Sequence, residues 1–289
     1  MTNGGQDRIV WLNGSFVAAT EAKLSIFDRG FLFADGVYEV TAVLGGKLVD
    51  SALHMARLER SARELGLRLP VTTAMIEQTE RTLIESNGLE EGVVYLQLTR
   101  GAEERNFLFG DQLEPTLLLF TQPKVLVDVA AAKTGIAVKT VADQRWARRD
   151  IKSVSLLPQV LAKRDARAAG CDEAWMVEDG HVTEGASSTA YIITRDGRIV
   201  SPANSSRTLP GCTRQAIVQL MQESGLTLEE RRFTIAEALN AGEAFMTSAS
   251  SLVMPVTWID GEPVGDGRPG PIVTRLRELY IEHARANAG

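Results

Sequence analysis

The sequence predicts an α+β fold of two unequal domains, and three observations carry that reading. Strand-like and helix-like segments alternate loosely up to Gln122. A stretch of low pattern, opened by Pro123 and running through Ala130-Ala131-Ala132-Lys133-Thr134, then breaks the chain. The 289 residues also exceed what one core comfortably organises. The domains expected are a small N-terminal one over 1–122, a linker over 123–134, and a larger C-terminal one over 135–289 that carries Lys152.

In the N-terminal part, Arg8 to Ala18 alternates as two short strands joined at Asn13-Gly14, a favoured hairpin turn. Ser25 to Asp35 reads as a glycine-punctuated loop leading into a strand from Val37 to Leu44, and Gly45-Gly46 is the next turn. Ser51 to Leu65 repeats apolar residues with helical spacing (Leu53, Ala56, Leu58, Ala62, Leu65), with Ser51 as the expected cap and Gly66 as the stop. Thr73 to Ser86 is a second helix, ended by Asn87-Gly88. Val93–Arg100 and Pro115–Gln122 are strands, with a polar excursion from Gly101 to Gly110 between them.

Beyond the linker the order is a strand (Gly135–Val141), a loop holding Lys152, a helix (Leu156–Ala169), a strand (Glu173–Glu178) and an extended run from Val182 to Thr194. A turn at Asp196-Gly197, a helix from Thr213 to Ser224 and a strand near Leu228–Phe233 follow. Thr234-Ile235-Ala236-Glu237 is a capping box opening a short helix. Glu243–Thr247 is a strand, Thr257–Val264 a hairpin turning at Asp260-Gly261, and Ile272–Ala286 a closing amphipathic helix.

Composition narrows the chemistry. Apolar residues make up 44% and charged residues 24%, the balance of a globular enzyme. The net charge is −6 and Lys and Arg are dispersed, so no basic stripe offers itself to nucleic acid. Apolar runs such as Leu117–Phe120 are too short to span a membrane, and Met1–Asp7 lacks the pattern of a secretion signal. Cys171 and Cys212 form no disulfide framework; they read as small buried hydrophobes and suit a reducing cytoplasm. His54, His181 and His283 are scattered without metal-ligand spacing, so no metal is expected. A serine hydrolase is disfavoured, because no Gly-x-Ser-x-Gly elbow is present. Proton chemistry therefore falls to lysine, carboxylates or a cofactor.

One set of segments answers that need. Lys152 lies in Arg149-Asp150-Ile151-Lys152-Ser153-Val154, between a strand and a helix, flanked by a cation and by apolar Val154, Leu156 and Leu157. Enclosure and a neighbouring cation both favour a neutral amine, which a Schiff-base lysine requires. Thr183-Glu184-Gly185 supplies a carboxylate, and the small residues Ala186, Ser187, Ser188 and Thr189 let a flat ring approach the backbone. Leu209-Pro210-Gly211-Cys212-Thr213-Arg214 is a tight turn feeding a helix start, where an anion can bind; Thr247-Ser248-Ala249-Ser250-Ser251 could cradle the same anion. Lysine, carboxylate and anion-binding helix start are what pyridoxal 5′-phosphate requires. Taken singly, each has a plainer explanation: a solvated lysine, a turn glutamate, an ordinary helix cap, a serine-rich loop, a solvated Arg57 beside its helix's apolar stripe. The ordered set is the signal.

The segments Asp28-Arg29-Gly30, Asp35-Gly36-Val37-Tyr38-Glu39, His54 to Arg57-Leu58, Asp150-Ile151-Lys152-Ser153, Thr183-Glu184-Gly185 with Ser187-Ser188, and Gly211 to Thr213-Arg214 resemble the fold type IV pyridoxal phosphate aminotransferases. Within them the D-amino acid transaminase type is the most similar, and the likeness runs in order from about residue 8 to residue 285. The resemblance implies a small and a larger domain with the cofactor between them, a homodimer, and ping-pong transfer from an amino donor to a 2-oxo acid, 2-oxoglutarate or pyruvate. By position, Lys152 matches the Schiff-base lysine, Glu184 the partner of the pyridine nitrogen and Arg57 the phosphate-binding arginine. Cys212, Thr213, Ser248 and Ala249 match the phosphate loops, Arg145 a residue near the phenolic oxygen, and Leu209 one packing on the ring. Tyr38 matches a tyrosine facing the substrate, with Glu39 beside the lysine.

The chain departs from the pattern at one informative place. Where similar D-amino acid transaminases carry an Arg-x-His pair for the substrate carboxylate, this sequence has Arg105-Asn106-Phe107. Phe107 makes the clamp less polar, which leaves room for (R)-amines that lack a carboxylate. Branched-chain L-transaminase, aminodeoxychorismate lyase and a cofactor-binding protein without turnover are the other readings the resemblance leaves open.

Overall fold

The structure is a computed structural model that describes residues 8–288. The stretch Met1–Asp7, read above for targeting signals, lies outside the described residues. The chain divides into two compact units, one built on the chain up to Lys124 together with Ile151–Ser155, the other on Val125–Asp150 and Leu156–Ala286.

The first unit is an antiparallel sheet of six strands with two long helices. Its strands are β1 (Ile9–Leu12), β2 (Ser15–Ala18), β3 (Gly36–Leu44), β4 (Lys47–Leu48), β5 (Glu91–Thr99) and β6 (Thr116–Pro123), in the order β2-β1-β6-β5-β3-β4. The β1–β2 turn has φ of 48° at Asn13 and 97° at Gly14, the two positive values that such a hairpin demands. Asn13 also ties this turn to β6, exchanging bonds with Leu117 through its backbone N–H (3.0 Å) and its side-chain carbonyl (2.8 Å).

A short helix α1 (Arg29–Phe33) stands where the sequence suggested loop. Asp28 caps it, accepting from Gly30 N at 2.8 Å and from the Thr99 hydroxyl at 3.0 Å. Five residues are too few for periodicity to register. Helix α2 (Ser51–Glu64) has Asp50, not Ser51, as its cap residue; Ser51 instead donates to Glu77 at 2.6 Å. Gly66, with φ of 60°, sits just past the α2 C-cap as expected. Helix α3 (Thr73–Ser86) is capped by Thr72 through Met75 N. The buried face of α2 is His54, Met55, Arg57, Leu58, Ser61 and Ala62; Ala56, expected inside, is exposed. The apolar stripe sets the phase of the helix only approximately, because two of its inward positions are charged or imidazole-bearing.

The segment Ile151–Ser155 belongs to this first unit, although 135–289 was expected to carry the lysine as one domain. Its backbone pairs with the start of β3: Tyr38 N donates to Lys152 O and Val154 N to Gly36 O, both at 3.0 Å. Ile151, 3% exposed, joins the core of Met55, Leu58, Leu96 and Leu98. Backbone pairing and one buried isoleucine thus decide where the lysine stands. Neither is visible as local pattern.

The second unit carries the remaining elements: α4 (Ala130–Thr134), β7 (Ile136–Ala142), α5 (Leu157–Ala168), β8 (Glu173–Glu178), β9 (His181–Gly185), β10 (Thr189–Ile193), β11 (Ile199–Ser201), α6 (Cys212–Glu223), β12 (Leu228–Glu230), β13 (Phe233–Thr234), α7 (Ile235–Leu239), β14 (Glu243–Ser248), β15 (Leu252–Ile259), β16 (Glu262–Pro263) and α8 (Pro271–Asn287). Ten strands form one mixed sheet, in the order β12-β11-β10-β14-β15-β7-β8-β9-β13 with β16 on β15. Strand β7 runs parallel to both β8 and β15, and α5 lies in the β7–β8 connection. The capping box at α7 is present, with Thr234 Oγ1 accepting from Glu237 N at 3.1 Å and Glu237 accepting from Thr234 N at 2.9 Å. Trp175, fully buried, packs edge-on to Phe233 and centres a core with Val138, Ile192 and Val256. Helix α4 occupies what read as linker, and the Thr257 side chain fills the space where a Cβ on Gly135 would sit.

Candidate active site

In the first unit the site is assembled by β3, by α2 and by the strand-like segment that lies beside β3. Lys152 is half-buried, with Nζ 4.0 Å from the centre of the Tyr38 ring. That aromatic face is a soft support for an ammonium, and a polarisable wall for a neutral amine. Tyr38 in turn stacks on Tyr95 (5.7 Å between ring centres), and burial pushes the Tyr95 hydroxyl up to about 12.

Glu39 is 1% exposed, and its carboxylate is shared. Arg57 grips it with a fork, Nε to Oε1 at 2.8 Å and Nη2 to Oε2 at 2.7 Å, while His54 Nδ1 lies 2.8 Å from Oε2. Burial alone would raise this acid, but Arg57 and then His54 outweigh it and hold Glu39 at about 2. The fork fixes the plane of the guanidinium, which the apolar stripe of α2 by itself would leave in solvent. Residues 54, 57, 58 and 61 share one helix face, which explains how α2 delivers both groups to Glu39.

Arg105 and Phe107 stand on the exposed 101–110 excursion. The Arg105 guanidinium lies 5.2 Å from the Phe33 ring centre and 5.6 Å from that of Phe107, itself 77% exposed. This loop is held by a residue that the sequence reading quoted but gave no role. Arg29, 4% exposed, donates to Asp35 (3.0 Å), Glu103 (3.2 Å) and the carbonyls of Asn106 (2.6 Å) and Phe107 (3.3 Å). The signal was available: an arginine set between the helix-capping Asp28 and Gly30 in Asp28-Arg29-Gly30.

In the second unit Glu184 is buried, bonded through Oε1 to Arg145 and accepting from Leu209 N through Oε2 at 3.1 Å. Burial raises its carboxyl, with Arg145 and the Leu209 N–H pulling the other way. Arg145, expected beside a phenolic oxygen, sits between Glu184 and Asp143, with its Nη2 2.6 Å from Asp143. Asp143 was not singled out from the sequence, yet it also accepts from Thr183 (2.7 Å) and lies 3.3 Å from Arg149. A lone aspartate at a strand end gives no hint of such a role. Leu209, expected to pack on a ring, contributes its backbone N–H to Glu184 and is half-buried. The Ser187 hydroxyl, on an exposed residue, donates to buried Glu173 at 3.2 Å.

Helix α6 starts at buried Cys212 and Thr213. Its cap residue is Gly211, no side chain bonds the first turn, and no acid stands there. A Cβ on Gly211 would come 3.1 Å from Thr189 Oγ1, so glycine keeps this start open. Ser248 ends β14, and the tight turn that follows closes at Leu252, whose φ of 56° is rare for a leucine. Ser248 and Ala249 are half-buried in this turn. Cys171, read as buried, is only half so.

A half-buried amine, a buried carboxylate and an uncapped helix start with no acid in its first turn are donor and acceptor types that suit a phosphate-bearing aldehyde with a ring nitrogen. The family model of the class IV amino-transferases matches residues 36–259. The chain belongs to that family. As a class IV aminotransferase it is 38% identical over 268 residues to a D-alanine aminotransferase of Bacillus licheniformis, covering 93% of this chain and 94% of the relative. It is 39% identical over 280 residues to one of Staphylococcus aureus, covering 96% and 99%. Among solved structures, the branched-chain amino acid aminotransferase from Escherichia coli shares the fold at TM-score 0.89 and 22% identity, over 98% of this chain and 96% of that one. The branched-chain aminotransferase of Thermoproteus uzoniensis, solved with norvaline, superposes at TM-score 0.86 with 26% identity, over 96% and 95%. The fold type IV reading of the motifs agrees with these likenesses.

Proposed function

We propose that this class IV aminotransferase is a pyridoxal phosphate enzyme that transfers the amino group of a D-amino acid, such as D-alanine, to 2-oxoglutarate or pyruvate. The likeness to D-alanine aminotransferases over almost the whole of both chains carries this reading. Bound cofactor supplies an electrophilic aldehyde and a ring that accepts electrons. Lys152 is the amine that holds it and then moves a proton at the substrate Cα, with Tyr38 beside it to orient both. Glu184 keeps a proton at the ring nitrogen. Arg145 and the Leu209 N–H leave roughly two of its about four lone-pair sites open. Arg145, braced by Asp143, fixes the carboxylate, and Leu209 positions it from the backbone. Arg57, set by Glu39, meets the phosphate together with Cys212, Thr213, Ser248 and Ala249, while Ser187 borders the ring.

Arg105 takes the substrate carboxylate and Phe107 shapes the apolar side of the pocket. An exposed phenylalanine beside Arg105 also favours a second reading, an (R)-amine transaminase, because it adds no donor for a carboxylate. We further propose a homodimer, supported by exposed Ile26 (70%), Phe31 (77%) and Leu108 (80%) on the first unit. A cytoplasmic setting is proposed as well, in keeping with two free cysteines.

The test is the visible spectrum of the purified, cofactor-loaded protein with D-alanine and no acceptor. The D-amino acid reading expects the cofactor's visible band to bleach while keto acid accumulates. A band that bleaches only with an (R)-amine moves the assignment to the second reading. No cofactor band after reconstitution removes both readings. The Lys152→Ala variant, folded but without turnover, is the expected control.

A further inference from the structure

Glu80 presents an anomaly on the inner face of α3. It is fully buried beside Ile76, Leu83 and Ile84, and among the described residues neither carboxyl oxygen has a hydrogen-bond partner. Buried polar groups are almost always paired, so one with two orphaned oxygens calls for a reason. Its electrostatic neighbours are His54 on α2, Glu39 on β3, and Glu77 and Arg81 on its own helix. Of the other elements packed on α3, β1 and β6 bring no titratable side chain, and β4 brings only exposed Lys47. Thr41, on the same face of β3 as Glu39, is another buried group whose hydroxyl has no hydrogen-bond partner among the described residues. Glu80 thus lacks hydrogen bonds while the field it feels includes His54 and the Glu39 carboxylate that Arg57 and His54 hold.

We infer that Glu80 is a positioning residue: by keeping or losing a proton it sets how His54 and Arg57 share Glu39, and through Arg57 how tightly the cofactor phosphate is held. The part concerning phosphate rests on the role proposed for Arg57 above. With Glu80 protonated, it adds no charge beside His54 and Glu39, and the fork to Arg57 is undisturbed. When Glu80 releases its proton to solvent, a second carboxylate appears next to Glu39. His54 and Arg57 must then serve two anions, and the fork that orients Arg57 loosens. Burial raises the Glu80 carboxyl to about 8, so the change falls at mildly alkaline pH.

The experiment compares the full-length wild type with Glu80→Gln, and with Glu80→Leu as a second variant lacking any proton to lose. Imidazole resonances are followed by NMR from pH 6 to 10 without cofactor, which is tractable because the chain has three histidines. In parallel, the affinity for pyridoxamine phosphate is measured over the same range; this probe has no aldehyde and forms no bond with Lys152. Expected is an inflection of His54 near pH 8 in wild type that is absent from both variants. The wild-type affinity for the probe should fall about five-fold more between pH 7 and 9 than that of Glu80→Gln. A His54 profile identical in wild type and variants overturns the inference, even if the variants change in melting temperature, because a merely structural Glu80 would not move that profile. Failure of the probe to bind any of the proteins would count against the cofactor reading instead, and the His54 profiles would still decide the role of Glu80.

Discussion

Replacing Glu80 by glutamine should stabilise the first unit, and by an amount that grows with pH. The usual glutamate value of 4.5 applies to the unfolded chain, whereas burial lifts the folded carboxyl to about 8. Between those values the folded state holds a proton that the unfolded state has given up, so stability is lost as pH rises through this window. Each pH unit is worth about 1.4 kcal/mol, which makes the wild-type deficit roughly 3 kcal/mol at pH 7. The deficit reaches about 5 kcal/mol above pH 8, where it levels off. Glutamine keeps the shape and has no proton to lose, so its advantage should be under about 1 kcal/mol at pH 5 and large at pH 8. The assay is urea unfolding at pH 5, 7 and 8 on protein carrying fluorotryptophan, read at Trp11 by fluorine NMR; Trp11 lies on β1 of the first unit, and the other three tryptophans lie in the second. A stability difference that is flat with pH, or greatest at pH 5, would refute the buried, proton-bearing Glu80.

Two further perturbations bear on the frame of the site. Glu39→Gln should destabilise the first unit by about 3–5 kcal/mol, since it strips a buried guanidinium of its carboxylate. Because Glu39 is depressed to about 2, its contribution is present above 4.5 and fades as pH falls toward 2, so the variant's acid unfolding curve should be flatter when followed by circular dichroism. Gly101→Ala would set a Cβ 2.0 Å from the Glu114 carbonyl oxygen at a φ of 105°, so a loss of about 2 kcal/mol or more in thermal melts is expected, with faster proteolysis of the 101–110 loop.

Legibility follows the length and regularity of the elements. Helix α3, strand β8 and the capping box at α7 are legible almost to the residue, because cap, period and stop agree within one window. Strands β4 and β11 have two and three residues, too few for alternation to register. On α2 the apolar stripe gives the helix but misphases its inner face, since His54 and Arg57 go inside only because Glu39 waits there.

What the sequence determined by itself is therefore the chemistry: a lysine, a carboxylate, two anion-ready turns, few histidines, and enough ordered motif to place the chain among the class IV aminotransferases. These are covalent identities and local preferences, and no folding is needed to read them. The tertiary structure decided which groups are dry and which are paired. It set Lys152 against Tyr38, set Arg145 between Asp143 and Glu184, and buried Glu80 without a hydrogen-bond partner among the described residues. Burial and pairing depend on residues dozens of positions apart, and they fix charge states through desolvation and distance, which no local window of sequence contains.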